Sequence, residues 1–205
     1  MKALMRHLHA GIYAERLRNL VDAIVPELRA GDRVLDVGCG NGTLLDTLQR
    51  DRRCPANVVM HGLERVPRGS EPIPVTAYPG GRMPFADNTF DLVVVADVLH
   101  HEPDVEVLLS ECARVARRAV LLKDHAREGA LAQARISFMD WAANAPYGVP
   151  CLYRYLSVAE WHALAAHVGL TVTREVHPMK LYPSGWERVF GGQLQYFAVL
   201  AKQAR

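Results

Sequence analysis

The sequence lacks a strong charge of either sign, long apolar runs and paired cysteines. Its formal net charge is only +2 over 205 residues, which is too small to indicate a nucleic-acid or membrane-surface partner. The longest apolar stretches, such as LVVVADVL, fall far short of the roughly 20 residues that a membrane span requires. The four cysteines show no C-x-x-C spacing, which favours reduced thiols over disulfides or a zinc site. We therefore expect a cytoplasmic protein with no membrane span and no nucleic-acid partner.

Apolar segments of two kinds alternate along the chain and indicate an α/β fold. The predicted strands are seven: RVLDV, ANVVMHGLE, PIPVTAY, TFDLVVVAD, RRAVLLKD, LTVTREV and QLQYFAVLA. Between several of them, apolar residues recur at the spacing of a helix face. Pro26 should kink or end the first of these helices, and Ser157 with Glu160 three residues later predicts a capping box at the start of another. Strands that alternate with helices predict a Rossmann-like, doubly wound, seven-stranded and mostly parallel sheet.

The length predicts a single domain over residues 1–205. Within it we distinguish an N-terminal helical cap, a ligand-binding core, a helical insertion that would act as a lid, and a C-terminal helix with strands, at 1–30, 30–125, 126–156 and 157–205. Aromatic residues concentrate from Phe138 onward. They either fill the C-terminal part of the core or form a pocket wall for an apolar or planar substrate.

The stretch VLDVGCGNGTLL carries three glycines, Gly38, Gly40 and Gly42, directly after the first strand. A dinucleotide fingerprint would have its third glycine at the position of Thr43, and a P-loop would continue with Lys-Ser or Lys-Thr, which is absent. In a doubly wound sheet the ligand lies beyond the carboxyl ends of the strands. The spacing therefore excludes a P-loop and disfavours a nicotinamide dinucleotide.

Two carboxylates are predicted to flank this glycine loop. Asp36 lies near the end of the first strand, two residues before Gly38, where it would repel a pyrophosphate and attract a cation such as an ammonium or a sulfonium. Glu64 ends the second strand, where an acid accepts hydrogen bonds from ribose hydroxyls. Together they predict a positively charged, ribose-bearing ligand without phosphate, which fits S-adenosylmethionine.

Two motifs carry a resemblance to a known family, VLDVGCGNG and, later in the chain, MPFADNTFDLVVVADVLHHEPD. The chain resembles the class I S-adenosylmethionine-dependent methyltransferases, in particular the type 11 branch with the ubiquinone and menaquinone methyltransferases. The resemblance covers about residues 30–125. It implies S-adenosylmethionine as cofactor and S-adenosylhomocysteine as product. The cofactor contacts that it implies are Asp36, Gly38, Cys39, Gly40 and Asn41 near the methionine group, Glu64 at the ribose, Arg65 and Met83 at the adenine, and Asp97 and Val98 at the end of the fourth strand.

One position departs from the family pattern. Family members usually read GDAxxLPF, whereas this chain reads YPGGRMPF, so Pro79 stands where an acid would accept from the adenine amine. Adenine recognition would then depend on backbone or water. The departure gives some support to a second hypothesis, a catalytically silent protein that binds the cofactor or a partner.

Methyl transfer requires an aligned nucleophile, exclusion of water and, for a hydroxyl acceptor, a base. Candidate residues follow the fourth and fifth strands: His100, His101, Asp124 and His125. We favour His125 as the base, with Asp124 ionised beside Lys123. Packing at a helix start is the alternative for the first two histidines. Because no H-x-H or H-E-x-x-H spacing is present, no metal site is predicted.

Substrate contacts are expected from the N-terminal cap and the lid. Tyr13 would fold over the cofactor unless it is a core residue, and the lid offers Arg135, Phe138 and Trp141. The predicted reaction is methyl transfer to a small molecule, with a hydroxyl oxygen on an apolar or aromatic compound as the favoured acceptor. The sequence leaves a homodimer open.

Overall fold

The protein, described here by a computed structural model over residues 2–144 and 151–203, is built on one seven-stranded sheet. The strand order is β3-β2-β1-β4-β5-β7-β6. The strands are β1 (Arg33–Val37), β2 (Val59–Glu64), β3 (Val75–Ala77), β4 (Phe90–Ala96), β5 (Ala116–His125), β6 (Leu170–Val176) and β7 (Gln195–Lys202).

The sheet is parallel from β3 to β5, and β7 pairs antiparallel with both β5 and β6. The central strand β4 is buried over Leu92–Val95, as expected for an apolar strand that is covered on both faces. The prediction of a seven-stranded, mostly parallel α/β sheet is confirmed.

Helices cover both faces of the sheet. They are α1 (Lys2–Ile24), α2 (Thr43–Arg50), α3 (Val105–Val115), α4 (Ala132–Asn144), α5 (Val158–His167) and α6 (Ser184–Phe190). The first of them ends where expected, because Pro26 lies in the short 3-10 turn Val25–Glu27 that follows it. The predicted capping box is present at α5, where Ser157 and Glu160 bond reciprocally. The short helix α6 was not predicted.

Two apolar layers hold these helices against the sheet. On one face, Leu20 and Ile24 of α1 pack with Leu45 and Leu48 of α2. On the other face lie residues of α3 and α5, among them Leu109, Cys112, Trp161 and Ala165. A third, smaller cluster joins α4 to the loops beside it and contains Ala132, Ile136, Tyr155 and Leu194. The predicted lid helix is therefore docked on the body of the protein through its own apolar contacts.

The topology brings the ends of several strands to one edge of the sheet. The parallel strands β1, β2, β4 and β5 have their carboxyl ends there. Because β7 runs the opposite way, its first residue, Gln195, pairs with the last residue of β5, His125. Among the described residues, no helix combines the length and the apolar content needed to cross a bilayer.

Candidate cofactor and active site

The glycine loop after β1 has the backbone conformation that only glycine adopts without strain. Gly38, Gly40 and Gly42 have φ angles of 72°, 56° and 74°. A methyl group on Gly38 would lie 2.5 Å from Cγ2 of Val98, and one on Gly42 would lie 2.9 Å from Cγ1 of Ile73. At Gly40, no described atom lies within 4 Å of such a group. The outer glycines thus permit close packing, and the middle one leaves space beside the backbone for a ligand.

The two predicted carboxylates lie beside this loop. Glu64 accepts hydrogen bonds from the amide of Gly40 at 2.7 Å and from the amide of Arg65 at 2.7 Å. Asp36 is buried, and burial together with the charge of Glu64 raises its pKa to about 8. A buried carboxyl of this kind is stabilised in its charged form by a cation, so the site favours a positively charged ligand.

Cys39 and Asn41 have packing and capping roles in the same loop. The Cys39 side chain is buried, and a methyl group on Gly62 would lie 2.5 Å from its sulfur. Asn41 accepts from the hydroxyl of Thr43 at 2.6 Å and from its amide at 3.2 Å, which satisfies an amide at the start of α2. The side chains of both residues therefore shape the loop.

The predicted adenine end contains an ion pair and a buried methionine. Arg65 donates to both carboxylate oxygens of Glu102 at 2.7 and 2.8 Å. Met83 is buried in the core, and its amide donates to Glu111 at 2.7 Å. Next to them is a groove of about 170 Å³ whose lining includes Tyr78, Gly80, Gly81, Glu102 and Pro103. Pro79, between Tyr78 and Gly80, is exposed.

Asp97, just past β4, is held by two cations. Its carboxylate pairs with the ammonium of Lys123 and with the guanidinium of Arg16, which reaches over from α1. Burial opposes ionisation of Asp97, but the two cations outweigh it and hold its pKa well below the usual value. The contact with Arg16 was not predicted. Tyr13, expected to cap the cofactor, is 49% exposed on α1, and no described contact joins it to the glycine loop.

His100, rather than His125, forms the histidine–aspartate pair. Nδ1 of His100 lies 2.6 Å from Oδ1 of Asp124, and both side chains are buried. Burial lowers the pKa of His100, but the charge and the hydrogen bond of Asp124 outweigh it, so the net shift is upward. His125 is the base favoured from the sequence, but the imidazole ring that Asp124 holds is that of His100. Lys123, expected to stand beside Asp124, is paired with Asp97.

The His125 ring has a different surrounding. Its Nδ1 lies 3.4 Å from the carbonyl oxygen of Leu194 and 3.5 Å from Nε2 of Gln195, and its amide donates to Asp124. Burial and the neighbouring Lys123 charge lower its pKa to about 4. A histidine with this pKa is a weak base. The ring packs edge-on against His100, with the ring centroids 5.1 Å apart.

The inner face of α4 adds a buried carboxylate to this group. Asp140 accepts from the hydroxyl of Tyr155 at 2.6 Å and from the amide group of Asn144 at 2.8 Å. Its Oδ1 lies 3.9 Å from Nε2 of both His100 and His101. Three separate parts of the chain thus place polar side chains at one point: the turn after β4, the end of β5 and the lid helix.

The aromatic residues predicted to touch substrate lie on the outer face of α4. Phe138 and Trp141 are 60% and 54% exposed, with their rings 6.2 Å apart. Arg135 donates to the carbonyl oxygen of Arg188 at 3.1 Å. The structure therefore does not bring these three side chains to the carboxyl edge of the sheet, because Ile136 and Asp140 occupy the inward positions of the helix.

Known proteins share this arrangement of sheet and loop. A family model described as a methyltransferase domain matches residues 7–175. The bifunctional methionine biosynthesis protein MetXA/MetW of Rhodopirellula baltica is 29% identical over 177 residues, which cover 76% of this chain and 27% of that protein. The 27-O-demethylrifamycin SV methyltransferase of Amycolatopsis mediterranei is 34% identical over 116 residues, covering 50% of this chain and 40% of that protein. The chain thus spans less than half the length of these relatives.

A solved structure agrees with the fold over nearly the whole chain. The 1,6-didemethyltoxoflavin-N1-methyltransferase of Burkholderia thailandensis, solved with 1,6-didemethyltoxoflavin and S-adenosylhomocysteine, has a TM-score of 0.64 at 16% identity. The match covers 99% of this chain and 87% of that one. A structural match at this level of identity shows the fold, and the match to the family model shows that the domain is a methyltransferase domain. The chain belongs to the class I S-adenosylmethionine-dependent methyltransferase domains.

Proposed function

We propose that this protein transfers the methyl group of S-adenosylmethionine to a hydroxyl oxygen of a small apolar or aromatic molecule. The observation that carries the proposal is the buried His100–Asp124 pair, with Nδ1 and Oδ1 2.6 Å apart, at the edge of the sheet that carries the glycine loop. Val98 packs on Gly38 of that loop, and His100 follows Val98 by two residues. A proton acceptor is therefore available close to the cofactor.

The reaction needs little covalent chemistry from the protein. When bound, S-adenosylmethionine would supply its methyl group: the carbon–sulfur bond would break as the acceptor oxygen bonds to the methyl carbon, and the sulfonium would leave as a neutral thioether. The hydroxyl proton passes to Nε2 of His100, whose other nitrogen is held by Asp124. The buried carboxyl of Asp36 would pair with the ammonium of the cofactor, and Glu64 with its ribose hydroxyls.

Other features support a small molecule as the acceptor. The small net charge of +2 favours a small molecule over a nucleic acid as the acceptor. The name of the rifamycin relative specifies an oxygen acceptor for that protein. The described part of the predicted lid, residues 126–144 and 151–156, would cover the acceptor; residues 145–150 of that prediction lie outside the described residues. The four cysteines form no disulfide, which fits the reducing cytoplasm. A homodimer would use a surface of this same domain.

The test measures transfer of a labelled methyl group from S-adenosylmethionine to a panel of hydroquinones, phenols, aliphatic alcohols and amines. We expect label on an oxygen of an apolar acceptor. Asp124→Asn should reduce the transfer rate without weakening cofactor binding, because Asp124 lies away from the glycine loop. Label on amines alone would refute the oxygen acceptor. Cofactor binding with no transfer to any acceptor would favour the catalytically silent alternative.

A further inference from the structure

His100, His101 and Asp140 form a cluster with the composition of a metal site. Each offers one ligand atom, and the three atoms lie within 4.8 Å of one another. Oδ1 of Asp140 is 3.9 Å from Nε2 of each histidine. These separations are too long for hydrogen bonds, so direct bonding between the three side chains does not explain why they converge.

The atoms around the cluster hold its members in the orientation that a metal would require. A histidine that binds a metal usually donates its other ring nitrogen to a carboxylate, and Nδ1 of His100 is bonded to Asp124 at 2.6 Å. The ligating carboxylate is in turn hydrogen-bonded in such sites. Here Asp140 accepts from Tyr155 and Asn144. These bonds engage Nδ1 of His100 and both oxygens of Asp140, while Nε2 of His100 lies 3.9 Å from Oδ1, which can accept a second partner.

The donor set selects a class of ion. Two imidazole nitrogens and one carboxylate oxygen suit first-row transition metals, whereas Mg²⁺ and Ca²⁺ prefer oxygen ligands. A metal about 2.1 Å from each ligand keeps neighbouring ligand atoms roughly 3.0 to 3.5 Å apart. The two 3.9 Å separations would therefore have to shorten by roughly 0.4 to 0.9 Å, and the separation of the two imidazole nitrogens, which lie within 4.8 Å of each other, by up to roughly 1.8 Å. His101 is partly exposed, with 18% of its side chain accessible, so an ion has a route to the cluster.

We propose that His100, His101 and Asp140 bind a divalent first-row transition-metal ion, such as Zn²⁺ or Fe²⁺, through Nε2, Nε2 and Oδ1. Three protein ligands leave positions of the ion open to oxygen ligands from outside the protein. Metal and proton compete for Nε2 of His100, so the loaded protein would activate a bound hydroxyl as a Lewis acid instead of by proton transfer to histidine. The site itself goes beyond the proposed function, because metal binding requires neither cofactor nor acceptor.

The test uses metal-free protein prepared by dialysis against a chelator. Co²⁺ is titrated in, and the visible absorption of the bound ion is followed together with the heat of binding. We expect one Co²⁺ per chain, displaced by Zn²⁺ and not by a large excess of Mg²⁺. His101→Ala and Asp140→Asn should each weaken Co²⁺ binding at least tenfold. Asp124→Asn should weaken it about tenfold through the orientation of His100.

His167→Ala is the matched control, because His167 also faces a carboxylate, Glu106 at 3.0 Å, but lies exposed elsewhere on the surface. It should bind Co²⁺ like the parent protein. Thermal melts identify any variant that fails to fold. His101→Ala is the variant least at risk of misfolding, because His101 is partly exposed. Absence of a stoichiometric Co²⁺ spectrum, or equal binding by His101→Ala and His167→Ala, would overturn the proposal. The titration omits cofactor and acceptor, so its failure leaves methyl transfer untouched.

Discussion

Asp124 at the end of β5 is bonded to Nδ1 of His100 in the turn after β4, across 2.6 Å in the protein interior. The second oxygen of the same carboxylate, Oδ2, is buried without a hydrogen-bond partner among the described residues. The carboxylate is therefore committed to one imidazole ring and fixes its tautomer. His125, the next residue in the chain, donates only its backbone amide to Oδ1, while its ring faces Leu194 and Gln195.

Replacing the carboxylate of Asp124 should disturb the orientation of the His100 ring without affecting the binding of S-adenosylmethionine. Asp124→Asn should lower the methyl-transfer rate on the order of tenfold to a hundredfold, because an amide can hold Nδ1 of His100 in the wrong tautomer. The affinity for S-adenosylmethionine should stay within a factor of about two. The measurement is kcat with each substrate saturating, compared with a direct cofactor titration. An unchanged kcat would remove the His100–Asp124 pair from the mechanism.

Cofactor binding should release a proton. In the free protein the pKa of Asp36 is about 8, so most chains carry a proton there at pH 7. A cationic ammonium beside it favours the charged form and lowers this pKa. Calorimetric titrations in buffers of different ionisation enthalpy should show release on the order of one proton at pH 7, falling to about half a proton at pH 8 and nearly to zero above pH 9. Asp36→Asn should show no such release, and an equal heat in all buffers for the parent protein would contradict the assignment.

The same carboxyl should destabilise the free protein at high pH. Its pKa is raised on folding, so its contribution to stability is present below the unfolded value near 4 and is lost as pH rises through about 8. Asp36→Asn cannot ionise. Its melting temperature, relative to the parent, should therefore rise by several degrees between pH 5 and pH 9, while its cofactor affinity falls. Asp46→Asn, on the surface of α2, is the control and should show no such trend.

A methyl group added at Gly38 should destabilise the protein for two reasons, the positive φ of this residue and the closeness of Val98. Gly38→Ala places that group 2.5 Å from Val98 and keeps φ at 72°. Gly69 has a similar φ of 76° and no described atom within 4 Å of the added group. Gly69→Ala should thus cost only the conformational term, about 1 to 2 kcal/mol. Gly38→Ala should cost about 1 to 3 kcal/mol more through overpacking.

The double variant Gly38→Ala/Val98→Ala tests the steric contact between the added methyl group and Val98. Removal of the Val98 methyl groups should restore much of the difference between the two single glycine variants in urea unfolding. If Gly38→Ala and Gly69→Ala destabilise the protein equally, the contact with Val98 does not constrain the loop.

Arg16 should fasten α1 to the sheet. It pairs with Asp97, which also pairs with Lys123, and its side chain is 24% exposed. Arg16→Met should therefore lower the free energy of unfolding by about 1 to 3 kcal/mol and make α1 more sensitive to limited proteolysis. Arg18→Met, at an exposed position of the same helix, should do neither. Equal protease sensitivity of the two variants would show that the ion pair does not hold the helix.

The features that the sequence predicts correctly are local ones. The strands follow from short apolar runs, and the positions of Asp36 and Glu64 follow from their places at the carboxyl ends of such runs. Both side chains lie beside the glycine loop because parallel strands end at a common edge. The cap of α5 is also local, since Ser157 and Glu160 are three residues apart.

The features that it does not predict depend on long-range packing. Arg16 and Asp97 are 81 residues apart in sequence, and nothing local links them. The partner of Asp124 depends on the turn after β4, which brings His100 to it. The phase of α4 turns Asp140 inward and Phe138 and Trp141 outward, although all three fit a helix equally well. For the same reason, no spacing motif indicates the cluster of His100, His101 and Asp140.

The position of β7 has a consequence for how the protein folds. Although it follows β6 in sequence, it lies between β5 and β6 in the sheet, so β6 has no strand to pair with until β7 has formed. A nascent chain that has emerged only as far as β6 exposes the unpaired edge of β5, which is a hazard for aggregation. Formation of the sheet, and with it the surroundings of His125, should therefore be a late event in synthesis.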